Sequence, residues 1–422
     1  MLQEYSDWII SQPLFISVIF SIMAFIFTSI SIPLAIPVFI KQSLCGKDLL
    51  KKDKPIIAES MGAIVGCIYF VFMFLFIPVP FLEWVRYGKY IHGEHPEFPH
   101  DKFSQYLGGL LSLFSMLFLG FADDVLDIRW RIKIWFPFIA SIPLLMVYYV
   151  THGGTDVLIP IPFRFIFSTP IINLGGLYYF ILSMIATFST NSINILAGVN
   201  GVEGIQALII AISLAMNSIT IFFLNPARSD AMHTSLYFLL PYIGCMFGYL
   251  RYNWYPAKVF GGDTICYFSG MVFAVIGISC NLSKTVLLFM IPQLFNFLLS
   301  CPQLFKFVNC PRHRMPKLCK DQINIQYSKF EFKPCQTFKD RMGRWMIQLL
   351  EILKLVQITK TDKGDWIDCS NLTILNLILI KTGPIREDQL VIYLSWIQIT
   401  CAILAFIIRY GLVHIVYNEN GI

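Results

Sequence analysis

Apolar runs of about 20 residues recur along this chain, the length a helix needs to cross a hydrocarbon core of about 30 Å. They fall at about 9 to 40, 58 to 84, 103 to 122, 133 to 150, 171 to 189, 203 to 224, 234 to 250, 263 to 280, 284 to 305 and 389 to 415. The fold class they predict is an all-α polytopic membrane protein of about ten transmembrane helices. Only 14% of the residues are charged, against roughly 25% in soluble domains. The first run follows Glu4 and Asp7, is too long for a signal-peptide core and has no small-residue cleavage site after it, so a retained first span is expected. The eleven cysteines are scattered without paired CxxC spacing, which indicates packing residues rather than a disulfide framework or a zinc ribbon.

An even number of spans returns both termini to one side and divides the loops into two sets. One set holds "KQSLCGKDLLKKDKP", "FADDVLDIRWRIK", "NSINILAGVNGVEG", "RYNWYPAKVFGGD" and the segment from 302 to 388, and it carries 25 of the 32 Lys and Arg residues. The lysines between Lys41 and Lys54 weigh most, because long loops count little in the positive-inside rule. This set is assigned to the cytosol. Trp84, Tyr87 and Tyr90, with Trp254 and Tyr255, suit interfacial anchors. Of the seven histidines only His313 lies in the cytosolic set; His92, His95 and His100 on the other side form either a metal site or a solvated loop.

The polar residues of the cytosolic set fall into four groups. Asp123, Asp124 and Asp127 stand where the third span emerges, with Lys133 beyond them. They read either as a frayed helix end, with Asp127 reaching Arg131, or as carboxylates and a cation for a divalent metal and a phosphorylated substrate. Asn191, Asn194 and Asn200 are interspersed with glycines and suit either interhelical hydrogen bonds or amide oxygens for a hard cation. Asp263 follows two glycines at the mouth of a span, where it either caps the helix or leaves open N–H groups for phosphate. Arg312, His313 and Arg314 lie between two prolines and suit either a cationic patch on anionic lipid or bidentate grip on phosphates. Zinc ligation by Cys310, His313 and Cys319 lacks a known spacing. Carboxylates for a metal with cations for phosphates are the parts of phosphoryl transfer.

These motifs, with "LCGKDL" and "ESMG" ahead of them, occur in the order found in the polyprenyl-phosphate N-acetylhexosamine-1-phosphate transferases, and the chain resembles the eukaryotic dolichyl-phosphate branch of that family from about Leu44 to the last span. The resemblance implies transfer of N-acetylglucosamine-1-phosphate from UDP-N-acetylglucosamine to dolichyl phosphate with release of UMP, sensitive to tunicamycin, as the first step of dolichol-linked oligosaccharide assembly. It implies Mg2+ held by Asn194 and Asp263, and a lipid-phosphate site of Lys133, Thr190, Asn191 and Asn194. For the sugar nucleotide it implies Lys47, Asp48, Leu49, Glu59, Asn200, Phe260, Arg312, His313 and Arg314, with the Phe260 ring against uracil. It also implies a homodimer in the endoplasmic reticulum membrane, its site facing the cytosol, and no nucleic-acid partner. Asp123, Asp124, Lys133 and His313 are the catalytic candidates.

A phosphate monoester has its second pKa near 6, so a lipid phosphate needs no base at neutral pH. Asp123 and Asp124 are therefore assigned to orienting Lys133 and shaping the surroundings of the metal. Bacterial relatives carry aspartates where Ala197 and Asn200 stand, and asparagine is common in the eukaryotic branch at Asp127, which is read as an ion-pair partner of Arg131. Trp130 is expected at the interface beside the lipid chain.

Three segments are expected: 1–301 with nine spans, 302–388 as a small α/β insertion carrying the Arg-His-Arg loop, and 389–422 with the last span and tail. Alternation in "INIQYSKFEFKP" predicts strands in the insertion. Asn371 heads a glycosylation sequon that a cytosolic segment cannot use. The rival readings are a sister transferase with another sugar or lipid, a transporter, and a non-catalytic scaffold. A transporter places its ionisable residues within spans rather than at their ends.

Overall fold

A computed structural model describes residues 13–82, 84, 98–159, 161, 164–165, 169–311, 314–332, 337–361 and 366–412. Arg312, His313, Tyr87, Tyr90, His92, His95 and the side chain of Trp130 lie outside the described residues. The helices, numbered in chain order, are α1 (Pro13–Lys41), α2 (Gly62–Phe76), α3 (His100–Leu126), the short α4 (Trp130–Lys133), α5 (Phe136–Thr151), α6 (Gly176–Leu196) and α7 (Val202–Leu224). They continue as α8 (Ser229–Asn253), α9 (Gly262–Ser279), α10 (Ser283–Phe289), α11 (Ile291–Leu304), α12 (Phe338–Ile352), α13 (Ile374–Thr382) and α14 (Glu387–Ile407).

Among the described residues, eight helical stretches are long and apolar enough to cross a membrane: those of α1, α2, α3, α5, α6, α7, α9 and α14. The single span expected at 284–305 is instead α10 and α11, bent by 72° at Met290, which would make nine if the pair crosses as one. Pro292 at the start of α11 has no N–H to continue the α10 ladder, so the break is written in the chain. The stretch expected at 234–250 is α8, 25 residues long but more polar than the others.

α9 sits at the centre. It is apolar on every side and buried almost throughout, as a helix surrounded by other helices must be. It packs on α3 and α6, while α8 lies along α1 and α7. Lipid tails are as apolar as leucine, so helices in a bilayer associate through close packing and hydrogen bonds. The α1/α8 seam uses both. Gly244 and Gly248, spaced as GxxxG, let the backbones meet: a Cβ on Gly244 would stand 2.0 Å from the Ser21 carbonyl oxygen. Alongside, Ser21 Oγ donates to Leu240 O at 2.6 Å and Tyr252 OH to Ser29 O at 2.8 Å. Deeper in the bundle, Gln293 Nε2 of α11 donates to Gln206 Oε1 of α7 (2.9 Å) and Gln398 Oε1 of α14 (2.8 Å).

Two loop hairpins flank the bundle, β1 (Cys45–Lys47) with β2 (Ile56–Ala58) and β3 (Asp156–Leu158) with β4 (Ile171–Asn173). Between α11 and α14 the chain forms a hairpin of β5 (Lys317–Leu318) and β6 (Ile325–Gln326). A three-stranded antiparallel sheet follows in the order β7 (Lys329–Glu331), β9 (Trp366–Ser370), β8 (Ile358–Lys360), with α12 and α13 beside it. The alternating stretch thus does become strands. This segment is tied to α11 rather than tethered loosely. Asn296 Oδ1 accepts from Ile374 N (2.8 Å), Ser300 Oγ donates to Leu372 O (2.6 Å) and Gln303 Oε1 accepts from Leu372 N (3.0 Å). Asn371 is buried within these contacts, its amide bonded to Gln303 and Ser328 at 2.8 Å each, so the folded protein presents no accessible sequon there.

Candidate active site

The loops grouped above by span parity meet at one end of the bundle. Asp123, in the last turn of α3, is buried and has both carboxylate oxygens engaged. Its Oδ2 accepts from Lys133 Nζ (2.9 Å) and Tyr267 OH (3.0 Å), and its Oδ1 from Ile128 N (3.1 Å). Lys133 also reaches Asp263 Oδ2 at 3.0 Å, so the ammonium bridges the second loop and the head of α9. Tyr267, one turn along α9 from Asp263, lies 3.4 Å from the same oxygen. Sequence reading missed Tyr267, although its i, i+4 relation to Asp263 puts the two on one helix face.

Asp124 takes a role that its neighbour does not. Its carboxylate accepts Asp263 N (2.6 Å), Thr264 N (3.2 Å) and the Thr264 hydroxyl, which caps the N-terminus of α9 from another helix. The capping reading of the "GGD" motif is thereby corrected, since Asp263 does not cap its own helix. Of the N–H groups at this helix start, Asp124 takes those of Asp263 and Thr264. The expectation that Asp124 orients Lys133 gives way too, since its oxygens face α9. Gly262 makes this possible: its φ is +72°, and a Cβ there would stand 2.2 Å from Asp124 Oδ2.

A cavity of about 310 Å³ opens beside this cluster, lined among others by Lys133, Asn191, Asn194, Asp263, Tyr267 and Arg314. Asn191 Nδ2 is spent on Thr187 O at 2.8 Å. Thr190, expected with it, does not line the cavity: it is buried against Gly270 and its hydroxyl donates to Ala186 O and Thr187 O at 3.0 Å. Arg314 is held by its own carbonyl, which accepts from Asn376 Nδ2 (2.8 Å) and Ser328 Oγ (3.3 Å). Its guanidinium Nη1 is buried with no hydrogen-bond partner among the described residues. Burial lowers the pKa of this guanidinium; such a donor is costly unless an anion meets it.

No group of three His, Cys, Asp or Glu side chains able to hold a metal occurs among the described residues. The cavity does offer hard oxygens from Asn194 and Asp263, and few protein ligands suit Mg2+, which keeps several waters and takes substrate phosphates. The donor set therefore fits.

The residues expected around uridine gather one loop away. A Cβ on Gly46 would lie 2.9 Å from the Glu59 carboxylate and 3.7 Å from the Phe260 ring. β2 continues beside the 259–261 segment through Phe260 N to Ala58 O (2.8 Å), Met61 N to Phe260 O (3.1 Å) and Gly62 N to Gly261 O (3.0 Å). Burial, and then the charge of Asp263, push the Glu59 carboxyl above its usual range. Leu49 and Lys47 are exposed. Asp48 is buried and committed to Leu50 N (3.1 Å) and Asn200 Nδ2 (3.1 Å). Asn200 N in turn donates to Glu387 Oε1 at 2.8 Å, and the other Glu387 oxygen pairs with Lys51. Glu387 and Lys51 were invisible as a pair in the sequence, because 336 residues separate them.

Glycosyl transferase family 4 matches residues 106–281. The chain is 43% identical to a UDP-N-acetylglucosamine–dolichyl-phosphate N-acetylglucosaminephosphotransferase of Schizosaccharomyces pombe, covering 97% of this chain and 95% of the relative. It is 40% identical to the protein of that name in Saccharomyces cerevisiae, over 96% and 92% of the two chains. The protein of that name in Dictyostelium discoideum is 37% identical, over 97% and 91%.

Proposed function

The chain belongs to the UDP-N-acetylglucosamine–dolichyl-phosphate N-acetylglucosaminephosphotransferase family, and on that premise we propose that it transfers N-acetylglucosamine-1-phosphate from UDP-N-acetylglucosamine to dolichyl phosphate. The observation that carries this reading is one cavity walled by Lys133 bridged to two aspartates, two asparagine amides and an arginine with a buried nitrogen that has no partner among the described residues. Both substrates are polyanions, and fixed cations offset their repulsion.

In this mechanism an oxygen of the lipid phosphate attacks the sugar-bearing phosphorus. The new P–O bond forms as the bond from that phosphorus to the bridging oxygen breaks, and UMP leaves with the electron pair. The nucleophile is mostly dianionic at neutral pH, so no proton has to be removed. Lys133 holds the lipid phosphate, oriented by Asp123, while Arg314 meets the diphosphate together with Arg312 and His313. Mg2+ bound by Asn194 and Asp263 would neutralise charge developing on the phosphates. Glu59, Phe260 and Leu49 shape the uridine side. Asp48 and Asn200 act by holding that loop in place.

The charge asymmetry of the loops supports a cytosol-facing site, and dolichyl phosphate as acceptor supports the endoplasmic reticulum membrane. A homodimer and tunicamycin sensitivity complete the reading. The test uses membranes containing the chain, with labelled UDP-N-acetylglucosamine, dolichyl phosphate and Mg2+. A labelled lipid diphosphate should form, be abolished by tunicamycin or chelation, and drop by about 1,000-fold or more in Asp263→Ala. Absence of product in the parent, or a clear preference for another sugar nucleotide, would sink the assignment.

A further inference from the structure

The amphipathic helix α12 carries a row of apolar side chains on the face turned away from its own sheet. Phe338, Met342, Trp345, Leu349 and Ile352 recur at three- and four-residue spacing, so they share one stripe. Phe338, Trp345 and Ile352 are 71%, 65% and 70% exposed, and Met342 and Leu349 are exposed too. Five such residues in four turns form a continuous patch, which a water-facing surface rarely tolerates. Lys339 and Arg341, also exposed, flank the stripe, and Lys354 follows its end. The acids of this helix are occupied: Asp340 caps it with Thr337 (2.7 Å), and Glu351 pairs with Lys360 (2.8 Å).

The opposite face fixes how high this helix can stand. Gly343 packs on the turn that closes α11, where a Cβ would lie 2.2 Å from Phe307 O. Ile347 is buried in a small core with Leu299, which belongs to α11 itself. The helix is therefore fastened where the bent α10–α11 pair leaves the bundle. Past its end, Leu353 and Leu355 wall an apolar channel of about 640 Å³ whose other walls include Phe295 of α11 and Tyr393 and Ile397 of α14. The exposed stripe thus runs on into surface belonging to the spans.

We infer that α12 lies in the membrane interface, with the Phe338–Met342–Trp345–Leu349–Ile352 stripe among the acyl chains and Lys339, Arg341 and Lys354 among the headgroups. An apolar face rimmed by cations, with an aromatic at its middle, is the pattern of helices that lie in the interface plane. A second copy of the chain is the weaker occupant, since a two-fold contact through this stripe would bring its own cations together. The consequence for the site is positional. Arg314 lies on the same connection between α11 and α12, so an anchored α12 keeps that arginine at headgroup height.

The test reads tryptophan emission from the full chain in vesicles of phosphatidylcholine brominated along the acyl chains, against unbrominated vesicles. The chain has eight tryptophans, so the Trp345 signal is the difference between the parent and Trp345→Phe. A second reporter is the emission added by Leu349→Trp, which stands on its own if the first variant does not fold. Bromination should remove at least half of each difference signal. Survival of either signal overturns the proposal, whether acrylamide then reaches it from water or a second copy shields it.

Discussion

Asp123 has both carboxylate oxygens engaged, by Ile128 N, Lys133 and Tyr267. A carboxylate so engaged orients its neighbours and is badly placed to take a proton. Asp123→Asn should therefore lower kcat by about 10- to 100-fold by the same factor at pH 6 and pH 8. A loss confined to pH 6, where the lipid phosphate is half protonated, would restore a base role. Glu59 gives a stability test. Its folded carboxyl titrates above the ordinary 4.5, through burial first and Asp263 second. The folded state then holds the proton longer than the unfolded chain, so the Glu59 contribution to stability is fully present below 4.5 and is lost as pH rises through the folded value. Thermal unfolding in chelator should show this decline in the parent and less of it in Glu59→Gln. Asp127 was read from sequence as a partner for Arg131. The structure adds that it ends α3 with φ +46°, a left-handed position that Asp and Asn, after glycine, tolerate better than other residues.

At the scale of elements, the junction of α3 and α9 is where the site is made. Asp124 and Gly262 form one device, an acidic cap and the glycine that leaves room for it. Gly262→Ala introduces a Cβ into that carboxylate at a positive φ, costing at least about 1 to 2 kcal/mol from backbone strain alone. Unfolding by denaturant should show that loss, and activity should fall further as Asp263 shifts. Period and length made the helices legible in sequence. The bend at Met290 was missed because apolar content continues through it, and only Pro292 marked it. The GxxxG pair of α8 was legible too and went unread.

Across the whole molecule, the first loop is joined to the start of the last helix. Glu387 binds Lys51 and the backbone of Asn200, and Asn200 binds Asp48. Two loops and α14 are thereby joined through one buried carboxylate. Glu387→Gln keeps the shape and removes the charge that pairs with Lys51. A charge-assisted hydrogen bond is worth roughly 1.5 to 3 kcal/mol, so KM for UDP-N-acetylglucosamine should rise about tenfold or more with kcat little changed. An equal fall in kcat would instead place Glu387 nearer the reacting groups.

By itself the sequence determined that this chain crosses a membrane repeatedly, which loops share a side, and which residue types could handle phosphate and metal. Those follow from local length, period and side-chain chemistry. Only the tertiary structure decided which aspartate meets Lys133 and which caps α9, and that Thr190 turns inward. It alone decided that Tyr267, Glu387 and Lys51 join the site. Adjacent residues on a helix face directions about 100° apart, so Asp123 and Asp124 look alike in sequence and diverge once other helices stand around them.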